Sequence, residues 1–141
     1  MDLEFQEDYR PTEDEPYMNL SHLAYFREKL LSWREQLVRE SHETLEQLRE
    51  ENSREPDFLD QGASDTIKAL TFRTRDRYRK LLKKIDAALD RIRVGTYGYC
   101  EESGEEIGIK RLEARPIATL SIEAQEWHEM KEGRKRKSAI R

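Results

Sequence analysis

The sequence predicts a mainly α-helical protein, in which a long antiparallel coiled-coil hairpin precedes a small globular module and a C-terminal helix. Residues 17–52 contain neither Gly nor Pro, and their apolar residues recur at helical spacing. Residues 67–92 follow a 4-3-4-3 repeat, which is the signature of a coiled-coil seam. The seam consists of Ile67, Thr71, Thr74, Tyr78, Leu81, Ile85, Ala88 and Ile92.

The antiparallel pairing follows from the numbering of the apolar residues. Partners in an antiparallel hairpin have position numbers with a constant total, and here that total is 115. The chain therefore turns back between Asp57 and Phe58. Zippering of this stripe against a partner helix is the alternative. The pairs are Leu48 with Ile67, Thr44 with Thr71, Ser41 with Thr74, Leu37 with Tyr78, Leu30 with Ile85 and Leu23 with Ile92.

Four segments follow from the changes in composition along the chain. Residues 1–18 form an acidic arm, interrupted by Pro11 and Pro16, that we expect to be flexible. Residues 19–95 form the hairpin, with its tip at 55–63, and the module with the C-terminal helix occupies 96–130. Residues 131–141 form a basic tail.

Capping residues predict the helix ends. Asn19 or Ser21 can cap the first helix, which must stop near Pro56. Ser64 can cap the second helix, which runs to Gly95.

The composition limits the classes of function. Of the 141 residues, 40% are charged and 35% are hydrophobic, with one cysteine and a net charge of −4. The acidic total argues against a simple DNA-coating protein. We expect no membrane association and a cytoplasmic location, because no apolar run can span a bilayer and no secretory signal is visible.

The tip of the hairpin carries two carboxylates three positions apart. Asp57 and Asp60 flank the apolar pair Phe58 and Leu59. The carboxylates can cap the second helix or can form a functional acidic tip, and spacing alone leaves both possibilities open.

The module after Gly95 has the layout of a zinc finger without its ligands. It begins with a Gly-punctuated, hairpin-like segment, continues with "IGIKRLEARP", expected as a short strand, and ends in a helix from about Ser121. A CxxC at each end would place the four ligands at Cys100, Ser103, Ser121 and Ala124. One thiolate cannot hold a structural zinc, so we expect a degenerate, metal-free module.

Two further expectations concern this module. Cys100 is either an inert residue at an old ligand position or a redox sensor, and its acidic flanks are expected to favour the thiol. In place of zinc, apolar packing against the base of the hairpin is expected to stabilise the module. The packing residues would be Tyr97, Tyr99, Ile107, Ile109, Leu112, Ile117, Leu120, Ile122 and Trp127.

Several strings resemble the DksA/TraR family of bacterial transcription regulators. They are "YMNLSHLAYFREKLLSWREQL", "PDFLDQGAS", "RDRYRKLLKKIDAAL" and "GTYGYCEESGEEIGIKRLEARPIATLSIEA", in order over roughly residues 16–128. The resemblance implies a protein that binds RNA polymerase, and not DNA, by inserting its coiled coil into the secondary channel. It also implies that, with ppGpp, the protein modulates open-complex stability in the stringent response, inhibiting ribosomal RNA promoters and activating those for amino-acid biosynthesis.

The resemblance also implies roles for particular residues. The family's tip motif, Asp-x-x-Asp-x-Ala, matches Asp57 and Asp60 but has Gly62 at the Ala position. The positions that bind ppGpp together with polymerase match Leu81, Lys84, Arg115 and Gln125, where the family typically has Lys in place of Gln125. Without the resemblance, Lys84 and Arg115 would be interpreted as solvated surface charges.

The sequence favours a regulator over an enzyme. His22, His42 and His128 are scattered, and no Ser-His-Asp grouping, P-loop or GxGxxG occurs. We expect a monomer with no stably bound cofactor. The alternatives are a coiled-coil adaptor or secondary-channel factor without tip activity, and a redox sensor based on Cys100.

Overall fold

The structure, a computed structural model, describes residues 3–53 and 61–140. These residues form four helices: α1 (Leu20–Ser53), α2 (Gln61–Val94), α3 (Ile109–Ala114) and α4 (Ile122–Ile140). Within the described ranges the only β-type pairing is an isolated antiparallel bridge between Tyr99 and Glu106. The predicted mainly α fold class is therefore confirmed.

The chain divides into two compact units, which we name and describe separately. The arm unit is Leu30–Ala87, and the terminal unit combines Met1–Lys29 with Ala88–Arg141. No helix in the described ranges is both long enough and apolar enough to cross a membrane.

The arm unit is an antiparallel pair of helices with an apolar seam. Leu30 and Ile85 are fully buried, as the predicted pairing requires, and Leu37 and Leu48 continue the seam along α1. The Ser64 hydroxyl donates to Asn52 Oδ1 at 3.4 Å, and these position numbers total 116, one away from the predicted 115.

The middle of the arm unit is polar, as the sequence predicts. The hydroxyls of Thr44 and Tyr78 lie 3.3 Å apart across the two helices. The Thr71 hydroxyl donates to the Ile67 carbonyl at 2.9 Å within its own helix, and the buried Thr74 lies one turn further on. These layers bury less hydrocarbon than the leucine layers, so they contribute less to stability.

The helix ends agree with the predicted caps at two of three places. Asn19 caps α1, because its Oδ1 accepts the His22 N–H at 3.0 Å. Gly95 ends α2 with a φ of 87° and an N–H bond to the Arg91 carbonyl at 2.9 Å. The prediction that Ser64 caps α2 is wrong, since the helix already begins at Gln61.

The terminal unit has its own core around Tyr97. Tyr97 is buried, donates its hydroxyl to the Pro116 carbonyl at 2.8 Å and packs against Phe26 with ring centroids 5.7 Å apart. Gly98 next to it has a φ of 93°, and a Cβ there would lie 2.8 Å from Met18 Cγ. Glycine is therefore required where the N-terminal residues cross this loop.

The acidic N-terminal residues make specific contacts that their composition does not predict. The Tyr9 hydroxyl bonds both carboxylate oxygens of Glu15 at 2.9 Å. The same carboxylate accepts the Thr12 N–H at 2.9 Å and lies 3.3 Å from His22 Nε2 on α1. The Glu15 carboxylate thus links the acidic N-terminal residues to α1, although their composition alone suggests a flexible segment.

The "IGIKRLEARP" run is helical, so the expected short strand is wrong. Residues Ile109–Ala114 form α3, whose Ile109 and Leu112 share one buried face at i, i+3 spacing. Four of its six residues are Lys, Arg, Leu and Glu, all good helix formers, and the segment is followed by Pro116.

Helix α4 also departs from prediction at its far end. It continues to Ile140, so the basic residues expected as a separate tail belong to the helix. Ile122 and Trp127 on this helix are about half exposed, and Tyr99 is 38% exposed. The expectation that all three pack in the module core is wrong, whereas Tyr97, Ile107, Ile109, Leu112 and Ile117 are buried there.

Candidate functional site

Of the three residues matched to the family's tip motif, the structure describes only Gly62. Asp57 and Asp60 lie outside the described residues. Gly62 lies in the first turn of α2 and is exposed, and its carbonyl accepts the Thr66 hydroxyl at 2.8 Å. Gly62 therefore has helical geometry, which Ala, the residue typical of the family, adopts at lower entropic cost.

Two of the predicted ppGpp positions share one face of α2 in the arm unit. Leu81 and Lys84 are three residues apart, which places them on neighbouring turns of the same helical face. Leu81 is half-buried and Lys84 is exposed. Lys84 has no ion pair within 4.0 Å among residues 3–53 and 61–140, so its ammonium is available to an anionic ligand.

Arg115, a third predicted position, is fixed by the end of α3 in the terminal unit. Its N–H donates to the Arg111 carbonyl at 2.8 Å, and its own carbonyl accepts the Ala118 N–H at 3.0 Å. Arg111 in turn donates through Nε to the Leu120 carbonyl at 2.9 Å. These bonds hold the backbone of Arg115 while its side chain is exposed to solvent.

Gln125, the fourth position, lies in the first turns of α4. It is half-buried and donates through Nε2 to Glu129 Oε1 at 3.2 Å. The amide supplies hydrogen bonds but no positive charge. Arg115 and Gln125 thus belong to the terminal unit, whereas Leu81 and Lys84 belong to the arm unit.

The four positions of a C4-type finger do not fit zinc in this chain. The Ser121 hydroxyl caps α4 by accepting the Ala124 N–H at 3.2 Å, and the Ser103 hydroxyl accepts the Glu105 N–H at 3.3 Å. Ala124 has no donor atom. Within the described ranges, no three His, Cys, Asp or Glu side chains are grouped to hold a metal ion.

Cys100 has an environment that favours its thiolate, contrary to the expectation from its acidic flanks. Burial raises its pKa, but the Ser103 hydroxyl and the N–H groups of Ser103, Ser121 and Glu102 lower it more. The net effect brings the pKa from its usual 9.0 to about 6. Only 3% of the residue is exposed, which limits access of oxidants to the sulfur.

Two polar side chains that the sequence analysis did not single out hold the terminal unit together. The Tyr17 hydroxyl donates to the Gly98 carbonyl at 2.6 Å and accepts the Gly108 N–H at 2.9 Å. Glu113 accepts hydrogen bonds from Tyr25 at 3.0 Å and from Lys29 at 2.8 Å. No sequence pattern marks these bonds, because each joins residues more than 80 positions apart.

A further pair joins α4 to the loop that contains Cys100. His128 Nε2 contacts Glu102 Oε1 directly. Its sequence neighbour Trp127 is 47% exposed, and the Lys131 ammonium lies 4.8 Å from the centroid of the Trp127 ring.

Comparison with known protein families covers both units. The N-terminal domain of the DnaK suppressor protein DksA matches residues 22–92, and the prokaryotic dksA/traR C4-type zinc finger matches residues 95–129. The second match covers the segment in which only Cys100 remains of the four cysteines.

Similar proteins include two relatives named RNA polymerase-binding transcription factor DksA. That of Caulobacter vibrioides is 58% identical over 125 residues, covering 89% of this chain and 88% of the relative. That of Escherichia coli K12 is 43% identical over 126 residues, covering 89% and 83%. The solved structure of transcription factor DksA2 from Pseudomonas aeruginosa is 40% identical with a TM-score of 0.75, covering 82% of this chain and 89% of that one. The chain therefore belongs to the DksA/TraR family.

Proposed function

We propose that the protein is a transcription regulator that binds RNA polymerase through the secondary channel. The observation that carries the proposal is a hairpin of two 34-residue helices in a chain 58% identical to a relative named for binding RNA polymerase. A long, narrow helical pair is a suitable shape for insertion into a channel. Binding to a cytoplasmic bacterial enzyme also accounts for a cytoplasmic location.

The tip of the hairpin is the proposed regulatory element. In this proposal Asp57 and Asp60 approach the polymerase active site and alter the stability of the promoter open complex. Ribosomal RNA promoters are inhibited and amino-acid biosynthesis promoters are activated, as in the stringent response. The protein acts as a monomer and performs no chemistry of its own.

The proposed effector is ppGpp, bound together with polymerase. The ligand carries two diphosphates, and Lys84 and Arg115 offer exposed cations for charge-assisted hydrogen bonds. Leu81 and Gln125 complete the set of matched positions. Because Gln125 supplies no charge, the response to ppGpp is expected to be weaker than with a lysine at this position.

In vitro transcription from a ribosomal RNA promoter tests the tip. Wild type is expected to inhibit, and Asp60→Asn is expected to bind polymerase but inhibit less. Asp90→Asn is a matched control, because Asp90 is an exposed aspartate of the same hairpin, and its ion-pair partner among the described residues is Arg93. Equal inhibition by wild type and Asp60→Asn would contradict the proposed tip activity and favour a coiled-coil adaptor.

The same assay with and without ppGpp tests the effector site. Lys84→Gln and Arg115→Gln are expected to reduce the added effect of ppGpp, and Gln125→Lys to increase it. Lys110→Gln, which removes an exposed cation of α3 outside the proposed set, serves as the control. An unchanged ppGpp effect in all three variants would contradict this site.

A further inference from the structure

A basic groove runs along the arm unit, and its lining residues include none of the residues matched to the tip motif or to ppGpp binding. It consists of two adjoining cavities of about 530 and 540 Å³ between α1 and α2. Both cavities are lined by Leu45 and Arg75, so they continue one into the other. We call this feature the arm groove.

The α2 wall of the arm groove is strongly positive. Lys68, Arg75 and Lys83 line it, and their spacing of seven and eight residues keeps them on one helical face. None of the three has an ion pair within 4.0 Å in the part of the chain that the structure describes. Arg79 also lines the groove, but it already pairs with Asp76 at 2.9 Å.

The α1 wall adds one further cation near the first cavity. Arg49 lines it together with His42 and Glu46. In the second cavity Arg34 is neutralised by Asp86 at 2.7 Å. Against the single unpaired carboxylate of Glu46, the groove therefore offers four unpaired cations: Arg49, Lys68, Arg75 and Lys83.

An aromatic ring stands among these cations. Phe72 lies between Lys68 and Arg75 on the same face of α2 and is 72% exposed, more than any other large hydrophobic residue that the structure describes. Tyr78, by contrast, is already engaged by the Thr44 hydroxyl at 3.3 Å and by the Arg77 guanidinium 5.5 Å from its ring centroid. Of the Phe72 and Tyr78 rings, both of which line the groove, that of Phe72 is therefore the one available to a ligand.

We propose that the arm groove binds single-stranded nucleic acid. The four unpaired cations contact successive phosphates, and a base stacks on Phe72. Cationic grooves with aromatic platforms are the common solution for this class of ligand. The 15 residues from Lys68 to Lys83 span about 22 Å of helix, room for about six nucleotides at about 3.4 Å each.

The lining of the arm groove favours nucleic acid over an acidic protein helix. A helix docked in a groove needs an apolar trough for side chains at i, i+3 or i+4 and i+7. Here eight of the 17 lining residues are charged, six of them cations, and Phe72 is largely exposed and not buried in a trough. The inference goes beyond the proposed function, because binding requires no polymerase.

Fluorescence anisotropy with the full chain and a labelled oligothymidylate of about 12 nucleotides tests the proposal. With four phosphate contacts, affinity should fall with salt at a logarithmic slope of about −3. That slope corresponds to roughly 50-fold weaker binding at about 200 mM than at about 50 mM salt. A duplex of equal length should bind more weakly, because its bases are not free to stack on Phe72.

Two pairs of variants separate stacking and charge from general effects. Phe72→Ala should weaken binding by about 5-fold or more, and Phe72→Trp should retain it. Arg75→Gln should weaken binding and reduce the salt slope by about 0.7. Arg73→Gln is the matched control, since it removes an exposed cation of the same helix that does not line the groove.

Three results would overturn the proposal. The first is unchanged affinity in Phe72→Ala, or equal losses in Arg73→Gln and Arg75→Gln. The second is competition by inorganic polyphosphate as strong as by the oligonucleotide, which would indicate charge without stacking. The third is Phe72-dependent binding of a synthetic acidic amphipathic peptide without oligonucleotide binding, which would identify a protein-docking groove. Circular dichroism of each variant verifies that the helices are intact.

Discussion

Single polar residues determine how the terminal unit is assembled, and Glu15 shows this most clearly. Hydrogen bonds from the Thr12 N–H and the Tyr9 hydroxyl lower its pKa from 4.5 to about 2, with a smaller contribution from His22. The same carboxylate lies 3.3 Å from His22, which is fully buried on α1. The acidic composition of residues 1–18 predicts a flexible segment. Composition alone could not reveal the contacts of Glu15, because it does not show which carboxylate lies near hydrogen-bond donors.

The low pKa of Glu15 predicts how stability depends on pH. A carboxyl group whose pKa is lower in the folded state stabilises fully above its unfolded value of 4.5. That stabilisation is lost as the pH falls from about 4.5 to about 2. Urea unfolding at several pH values should show Glu15→Gln less stable than wild type above pH 4.5, with the difference vanishing near pH 2.

Glu13→Gln controls for the loss of one negative charge from the same exposed segment. A difference between wild type and Glu15→Gln that stays constant down to pH 2 would contradict the assigned hydrogen bonds.

Hydrogen bonds from Ser103, Ser121 and Glu102 stabilise the thiolate of Cys100. Because its pKa is about 6 when folded and 9.0 ordinarily, the folded state favours the thiolate between these values, and stability should rise with pH in that window. Ser103→Ala removes the hydroxyl that bonds the sulfur, so it should raise the pKa of Cys100.

Ultraviolet absorbance of the thiolate during a pH titration measures this shift, and Ser32→Ala, at an exposed remote position, is the control. A Cys100 pKa that does not move in Ser103→Ala would show that this hydroxyl has no such role.

At the scale of elements, the hairpin could be predicted in detail and the module could not. The two helices are long, and one apolar face repeats over many turns, so the predicted register total of 115 comes within one of the total of 116 for the contact between Asn52 and Ser64. Helix α3 has only six residues, too few for a period to distinguish a helix from a strand. Its bonds through Glu113 to α1 depend on tertiary contacts that no local pattern encodes.

Adjacent leucines of α1 test the predicted seam. Leu30 is fully buried, whereas Leu31 is 38% exposed. Leu30→Ala should lower the free energy of unfolding by about 2–5 kcal/mol through lost burial and a residual cavity. Leu31→Ala should lower it by about 1 kcal/mol or less.

Chemical denaturation followed by the helical circular dichroism signal measures both variants. Equal losses in Leu30→Ala and Leu31→Ala would contradict the seam.

At the scale of the whole molecule, the candidate site could be predicted only from the resemblance to the family. Lys84 and Arg115 are exposed cations, and their local patterns do not distinguish a ligand contact from a solvated charge. The zinc-finger layout of the module could be predicted from spacing alone, because the spacing of a CxxC at each end is visible in the sequence although only one cysteine remains. The roles of Ser103 and Ser121 as hydrogen-bond acceptors could not be predicted from the sequence, since they depend on the folded loop.

The substituted ligand positions predict zinc-independent stability. Purified protein should contain no stoichiometric zinc, and a chelator should leave its thermal unfolding transition unchanged. The physical reason is that Cys100 is the only sulfur ligand, while the core around Tyr97 and Leu112 is closed by side-chain packing. One tightly held zinc per chain would contradict this account.

Photo-crosslinking to RNA polymerase tests the central claim most directly. A photo-reactive amino acid in place of Gly62 puts the probe at the start of α2, and one in place of the exposed Arg136 puts a control probe near the end of α4. Secondary-channel binding predicts that the Gly62 probe crosslinks to peptides around the polymerase active site and that the Arg136 probe does not. Crosslinks of the Gly62 probe only to outer surfaces of polymerase, or none at all, would contradict insertion of the hairpin.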